Sequence, residues 1–159
     1  MKFIADVMLG RLAKRLRLLG YDVLYDPALD DNDIVRLSLE QRRVILTRDA
    51  TLAARPLASN HLFVRSDHVE EQLEQVLTIS PRDASPLTRC SLCNEPLASM
   101  TRQEARDLVP PYVFEKNETF QQCTICGRVY WEGTHVWRMI GRAGGKKKRP
   151  FRPNGTDRP

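Results

Sequence analysis

"RVILTRDATL", residues 43 to 52, decides the fold. Val44-Ile45-Leu46-Thr47 reads as a short buried strand that ends on Arg48 and Asp49, and Ala50-Thr51-Leu52 then opens a helix. A strand followed within a few residues by a helix is the unit of a parallel sheet, and the same unit recurs on both sides of this stretch. Toward the N-terminus, Lys2 to Ala5 is an apolar strand ending at Asp6. Met8, Leu9, Leu12, Leu16 and Leu19 then recur at helical spacing among Arg11, Lys14, Arg15 and Arg17, and Gly20 can end that helix. Val23-Leu24-Tyr25 has strand chemistry and is closed by Asp26-Pro27. Asp30-Asp31-Asn32-Asp33 opens a second helix carrying Ile34, Val35, Leu37 and Leu39. After the quoted strand, residues 51–57 form a short helix stopped around Pro56, residues 61–64 a fourth strand and residues 68–77 a fourth helix. The alternation predicts an α/β fold with a mostly parallel sheet covered by helices over residues 1–80.

The pattern stops at Ser80-Pro81-Arg82-Asp83-Ala84-Ser85-Pro86, so residues 81–86 read as a linker. Residues 87–140 have a different character, with little periodicity and two Cys-x-x-Cys pairs, Cys90/Cys93 and Cys123/Cys126, separated by 29 residues. Each such turn aims two thiolates at one point, and two turns complete a tetrahedral shell at Zn–S distances of about 2.3 Å. Gly127, directly after the second pair, suits a tight knuckle that needs positive φ. With all four positions cysteine, the shell is closed and structural, holding one zinc ion, and a segment this small depends on the metal to fold. His135 is a fifth candidate that reads as a packed or surface residue. A dithiol redox pair or two disulfides are the competing uses of the cysteines, and neither has supporting context.

The formal charge is +5, but it is unevenly spread. Residues 141–159 carry seven basic residues against Asp157, which makes a basic, disordered tail of +6 and leaves residues 1–140 at −1. The run Lys146-Lys147-Lys148-Arg149 attracts phosphate without a fold. An acid at position 6 is too early for a signal peptide, and no apolar run approaches the roughly 18 residues of a membrane span. A soluble, cytoplasmic protein with no membrane partner is expected.

Asp49 closes a buried strand, and topology explains why. All strands of a parallel sheet deliver their C-terminal ends to one edge, so Asp6 and Asp49 meet there, joined by the acidic cluster that opens the helix after the second strand. Three acids in one crevice repel each other unless a divalent cation neutralises them, and Mg²⁺ or Mn²⁺ suits carboxylate oxygens. Most of these acids also have a plain alternative: Asp30 or Asp31, Asp49 and Asp67 stand where N-caps stand, and Asp33 can satisfy another first-turn amide. Asp6 sits between Ala5 and Val7, where a structural role would more often fall to Val or Ile. Asp67 is a candidate fourth acid, and Glu40 lies far from the edge. Among the aromatics, Phe114, Phe120, Tyr130, Trp131 and Trp137 are divided between a small core and faces on which unstacked bases could sit.

"FIADVMLGRLAKRLRLLGYDVLYD" (residues 3–26), "DDNDIVRLSLEQRRVILTRD" (residues 30–49) and the paired Cys-x-x-Cys together resemble the Mut-seven C-terminal RNase domain family. The resemblance spans roughly residues 1–140 and implies a PIN-like three-layer α/β/α nuclease domain with a mostly parallel sheet, followed by a zinc ribbon. It implies a Mg- or Mn-dependent ribonuclease, an endonuclease, with Asp6, Asp31 and Asp49 at the acidic site and Arg17 and Arg48 beside it. The expected partner is RNA, extending to a ribosome or other ribonucleoprotein. The competing reading is a noncatalytic RNA- or ribosome-binding adaptor that works through ribbon and tail.

Overall fold

The computed structural model describes residues 1–80 and 86–133. Four strands, β1 (Lys2–Ala5), β2 (Asp22–Leu24), β3 (Val44–Thr47) and β4 (His61–Phe63), form a wholly parallel sheet in the order β2-β1-β3-β4. Between them run α1 (Gly10–Leu18), α2 (Asp31–Gln41) and α3 (Ala50–Ala53), and α4 (Val69–Ile79) follows β4. The chain passes from β1 outward to β2 and then crosses back over β1 to β3. The direction of winding therefore reverses between β1 and β3, and Asp6 and Asp49 follow these two strands.

Period-two alternation divides the core in two. Phe3, Ala5, Val23, Leu46 and Val64 face α1 and α4 and pack on Leu12, Leu16, Leu73 and Val76. Ile4 and Ile45 face the other way, against Ile34 and Val35 of α2, with Leu52 and Ala58. Both faces of β1 and β3 are thus buried, which is why Phe3-Ile4-Ala5 and Val44-Ile45-Leu46 read as unbroken apolar runs.

A second sheet carries the cysteines. β5 (Leu97–Met100), β6 (Phe120–Cys123) and β7 (Val129–Trp131) pair antiparallel in that order, with α5 (Arg102–Ala105) and α6 (Pro111–Lys116) between β5 and β6. Its core is two small clusters, one of Leu87, Cys90, Cys123 and Tyr130, the other of Ala105, Val109, Val113 and Phe120. Phe120 and Tyr130 are thus core residues, while Trp131 and Phe114 are half-buried beside them.

The two sheets are joined at β2, an edge strand with an unpaired outer side. Asn94 Oδ1 accepts from the Val23 N–H (3.0 Å), and Arg17 Nε donates to the Val23 carbonyl (2.9 Å). The Arg17 guanidinium continues to the carbonyls of Ser91 (3.2 Å) and Leu92 (2.6 Å) in the first cysteine turn. An open strand edge is a template for unwanted pairing, and here the cysteine segment caps it. Asp22 completes the joint by accepting from Arg43 (2.7 Å) and from Asn94 Nδ2 (2.8 Å).

Several expectations shift in detail. The first helix starts later, because Val7–Leu9 forms a 3₁₀ turn before Gly10. The helix expected over 51–57 splits into α3 and a 3₁₀ turn at Pro56–Ala58, since Pro56 has no N–H to continue the ladder. The expected linker, apart from Pro86, lies outside the described residues, as do His135, Trp137 and the basic tail. Among the described residues no helix is long and apolar enough to cross a membrane.

Candidate functional site

The edge at the C-terminal ends of the parallel strands is organised around Thr47, which is fully buried. Its hydroxyl donates to Asp6 Oδ2 (2.8 Å) and accepts from the Asp49 backbone N–H (2.9 Å). Asp6 is only 5% exposed, and its backbone N–H bonds the Leu46 carbonyl (2.9 Å), so its carboxylate is fixed where winding reverses. Asp49 also caps α3, its Oδ1 accepting from the N–H groups of Thr51 (2.7 Å) and Leu52 (3.4 Å).

Asp31 opens α2, and its Oδ2 accepts from Arg55 Nη2 (2.8 Å), while Arg55 Nη1 reaches Asn32 (2.9 Å). Asp30 is the N-cap of α2, bonding the Asp33 N–H (2.8 Å). Asp33 and Glu40 both pair with Arg36 on the helix surface. Asp6, Asp31 and Asp49 thus each commit one oxygen to the protein and keep the other without a hydrogen bond to a described residue. Hard oxygen donors of this kind suit Mg²⁺ or Mn²⁺. Among the described residues, however, they do not converge into one ligand cluster as the cysteines do.

Of the two arginines expected beside the acids, Arg48 adjoins Asp49, whereas Arg17 has other surroundings. Arg17 is 3% exposed and turned to the carbonyls of β2 and the first cysteine turn, because its place late in α1 sets it against the outer edge of β2. Burial lowers its pKa, with Cys90, Cys93 and Asp22 acting in the opposite sense. Arg48 forms an ion pair with Asp67. Asp67 is therefore that arginine's partner rather than the cap of α4, a position taken by His68.

The thiols are gathered. The Sγ atoms of Cys90, Cys93, Cys123 and Cys126 lie within 4.8 Å of one another, and Cys90 and Cys126 stand 3.7 Å apart. Four sulfurs about 2.3 Å from a central ion would be separated by about 3.8 Å, so the set can hold a zinc ion. The two turns are copies of one geometry. The fifth residue has positive φ (Asn94 at 64°, Gly127 at 70°) and returns its N–H to the first cysteine's carbonyl. Asn94 does in the first knuckle what Gly127 does in the second, and its side chain is the one that reaches β2. Although burial opposes ionisation, hydrogen bonds from Tyr130 and the N–H groups of Cys93 and Leu92 bring the Cys90 thiol down to about 6. Burial and hydrogen bonding to Cys126 and Cys90 push Cys93 up to about 12, and burial with Cys90 as neighbour raises Tyr130 to about 12.

Thr47, Arg55 and Asn94 were not singled out by the sequence. Thr47 lay in plain view as the one polar residue of the strand in residues 44–47. Arg55 and Asn94 gave no local signal, since their partners are 24 and 72 residues away.

Comparison with the curated proteins and with the solved structures found no match. The family comparison matches residues 1–143 to the Mut7-C RNAse domain. That match spans both the sheet with its acidic edge and all four cysteines, and it brings a nuclease-type function with RNA as the implied substrate. The chain belongs to the Mut7-C RNAse domain family.

Proposed function

We propose that this protein is a metal-dependent endoribonuclease whose reaction takes place at the Asp6 edge. The observation that carries the reading is the buried Asp6 carboxylate, oriented by Thr47 beside Asp49 where the winding of the sheet reverses. A binder of polyanions gains nothing from an acid held there.

Asp6, Asp49 and Asp31 would hold Mg²⁺ or Mn²⁺. When bound, such a cation supplies Lewis acidity and neutralises charge growing on the phosphoryl oxygens. The protein's own part is to orient and position. Thr47 fixes which Asp6 oxygen faces outward, and the α3 cap does the same for Asp49. A carboxylate at this edge also aligns the attacking water for displacement at phosphorus, with the P–O bond breaking opposite to it. Arg55 holds Asp31 and competes with a cation for it. Arg48, the residue between Thr47 and Asp49, presents its charge to a neighbouring phosphate.

In this reading residues 1–80 are a PIN-like domain, residues 87–140 a zinc ribbon with one structural ion, and residues 81–86 the linker. The basic tail adds nonspecific affinity for RNA, or for a ribonucleoprotein such as the ribosome, in the cytoplasm. The test is cleavage of a mixed pool of structured and single-stranded RNAs with Mg²⁺ or Mn²⁺, by wild type and by Asp6→Asn and Asp49→Asn at equal zinc content. Metal-dependent cutting lost in both variants supports the proposal. RNA binding without cutting, or variants that cut as well as wild type, would overturn it in favour of the adaptor.

A further inference from the structure

Beside the acidic edge, on the side of α1 and α4, lies a groove of about 570 Å³. It begins next to the acids, since Arg48 adjoins Asp49 and Met8 follows Asp6 by two residues, and both line it. Arg11 and Lys14 of α1, Tyr25, Asp67 and Glu70 form much of the remaining wall.

The charges in this groove are not equally engaged. Glu70 is held by Arg15 (3.1 Å), and Asp67 by Arg48. Arg11 and Lys14, three residues apart and therefore on one helix face, are exposed and form no ion pair with a described residue. With both acids occupied, the groove offers the free positive pair Arg11 and Lys14 together with Arg48. Its aromatic wall is fixed in place: the Tyr25 hydroxyl donates to the Val7 carbonyl (3.2 Å). The Tyr25 ring also lies so close over Gly10 that a Cβ there would meet the hydroxyl at 2.6 Å.

We propose that this groove binds the backbone of single-stranded RNA next to the cleaved bond, with Arg11, Lys14 and Arg48 on phosphates and Asp67 as a built-in competitor for Arg48. The inference rests on the ribonuclease reading of the Asp6 edge. The Asp67 side chain is 78% exposed, and an ion pair so open to water is weak. The pair is a single contact from Arg48 Nη2 to Asp67 Oδ1, whereas a phosphate can accept from the guanidinium through two oxygens and so replace the carboxylate. Single strands suit the site because Tyr25 can take an unstacked base at the wall.

The test uses zinc-loaded full-length protein and a short labelled oligouridylate, read by fluorescence anisotropy across a salt series without added Mg²⁺ or Mn²⁺. Arg11→Gln with Lys14→Gln should weaken binding about tenfold at low salt. It should also flatten the plot of log affinity against log salt by about 1.4, two contacts at roughly 0.7 each. Asp67→Asn should tighten binding severalfold, the opposite of what loss of a metal-ligating acid would do to cleavage. Arg36→Gln on α2, outside the groove, controls for the loss of a positive charge elsewhere on the surface and should leave affinity unchanged.

Unchanged affinity in the double variant, weaker binding in Asp67→Asn, or an equal loss in Arg36→Gln would each overturn the groove. Cleavage with Mn²⁺, measured in parallel, separates the two readings. If wild type cuts and the double variant loses nothing in KM, the groove falls and the nuclease stands. If nothing is cut while binding shifts as expected, the groove stands and the nuclease falls.

Discussion

The thiol centre and the acidic edge both offer ligands to a cation, yet they are built in opposite ways. The four sulfurs lie within 4.8 Å of one another because each pair comes from one short turn whose backbone is closed on itself. The Cys90 N–H bonds the Glu95 carbonyl (2.8 Å) and the Cys123 N–H bonds that of Arg128 (3.0 Å). The three carboxylates come instead from separate connections, and each is held through one oxygen by a different group: Thr47, Arg55, or the first amides of α3. A closed shell made by local turns suits an ion that never leaves. Oxygens kept apart by fixed partners suit an ion that arrives with its own water and substrate, since Mg²⁺ gives up its water reluctantly.

The contrast breaks first, and hardest, at the cysteines. Cys123→Ser should abolish zinc retention and unfold the segment from residue 86 to residue 133. Zinc binding to such sites is worth about 10–16 kcal/mol at neutral pH, and that energy is folding energy. Metal analysis with limited proteolysis checks this, and a protease-resistant variant without zinc would show that the cysteine segment folds unaided. At the acidic edge the effect should be smaller and confined to catalysis. Asp6→Asn should lower kcat about 100-fold, or about 2.7 kcal/mol of barrier, with zinc content and unfolding midpoint near wild type. Thr47→Val, which leaves all three acids in place, should cost 10–100-fold in apparent Mg²⁺ or Mn²⁺ affinity. A Thr47→Val protein with unchanged metal dependence would deny the hydroxyl its orienting part.

The same contrast governs what could be read from the chain. β3 was placed to the residue because Val44-Ile45-Leu46-Thr47 is buried on both faces and bounded by charge. The thiol centre was legible because knuckles are local. Topology predicts Asp6, Asp49 and the Asp30 to Asp33 cluster at one edge, while the choice of Asp31 rests on the family resemblance, and the fold does deliver Asp6 and Asp49 to one edge with Thr47 between them. Their partners were out of reach, because Arg55 meets Asp31 only after α2 and α3 pack on the same face. Arg17 is the clearest case. In the sequence it is one of four basic residues on a helix, and only the docking of the first knuckle on β2 turns it inward. Asp67 looked like a cap, but the end of β4 brings it to Arg48. Helices α5 and α6 fall in a stretch of little periodicity, where the Thr101 to Glu104 capping box marks the start of α5 and Pro111 that of α6.

Next in size is the joint between the two regions. Arg17→Met should keep the packing of the aliphatic stem but leave the carbonyls of Val23, Ser91 and Leu92 without their donor. A lost charged donor in a buried setting costs about 2–3 kcal/mol, and denaturant unfolding should show it. Asn94→Gly keeps the positive φ of the knuckle and removes only the side chain that reaches Val23 and Asp22, so it should cost less and spare zinc. In both variants amide exchange should quicken along β2 and not in β3, which has strand partners on both sides. If Arg17→Met instead lowers kcat with β2 protection intact, the arginine belongs to the acidic edge after all.

The smallest effect expected is a pH dependence at the same joint. Burial raises the pKa of the Asp22 carboxyl, but hydrogen bonds from Arg43 and Asn94, with the Arg43 charge, outweigh it and hold the carboxyl below its ordinary range. A carboxyl whose pKa is lowered by folding stabilises the fold above its unfolded pKa of about 3.9 and loses that contribution as pH falls toward the folded value. Wild type should therefore keep this increment from neutral pH down to about pH 4 and lose it only below. Asp22→Asn should be less stable at neutral pH, with the difference from wild type shrinking in acid, because protonated Asp22 and Asn both leave Arg43 without a charged partner. Unfolding midpoints of the two proteins from pH 6 to pH 3 measure that convergence. A constant difference across the range would mean that Asp22 holds the joint by shape and hydrogen bonding alone, with no share for its charge.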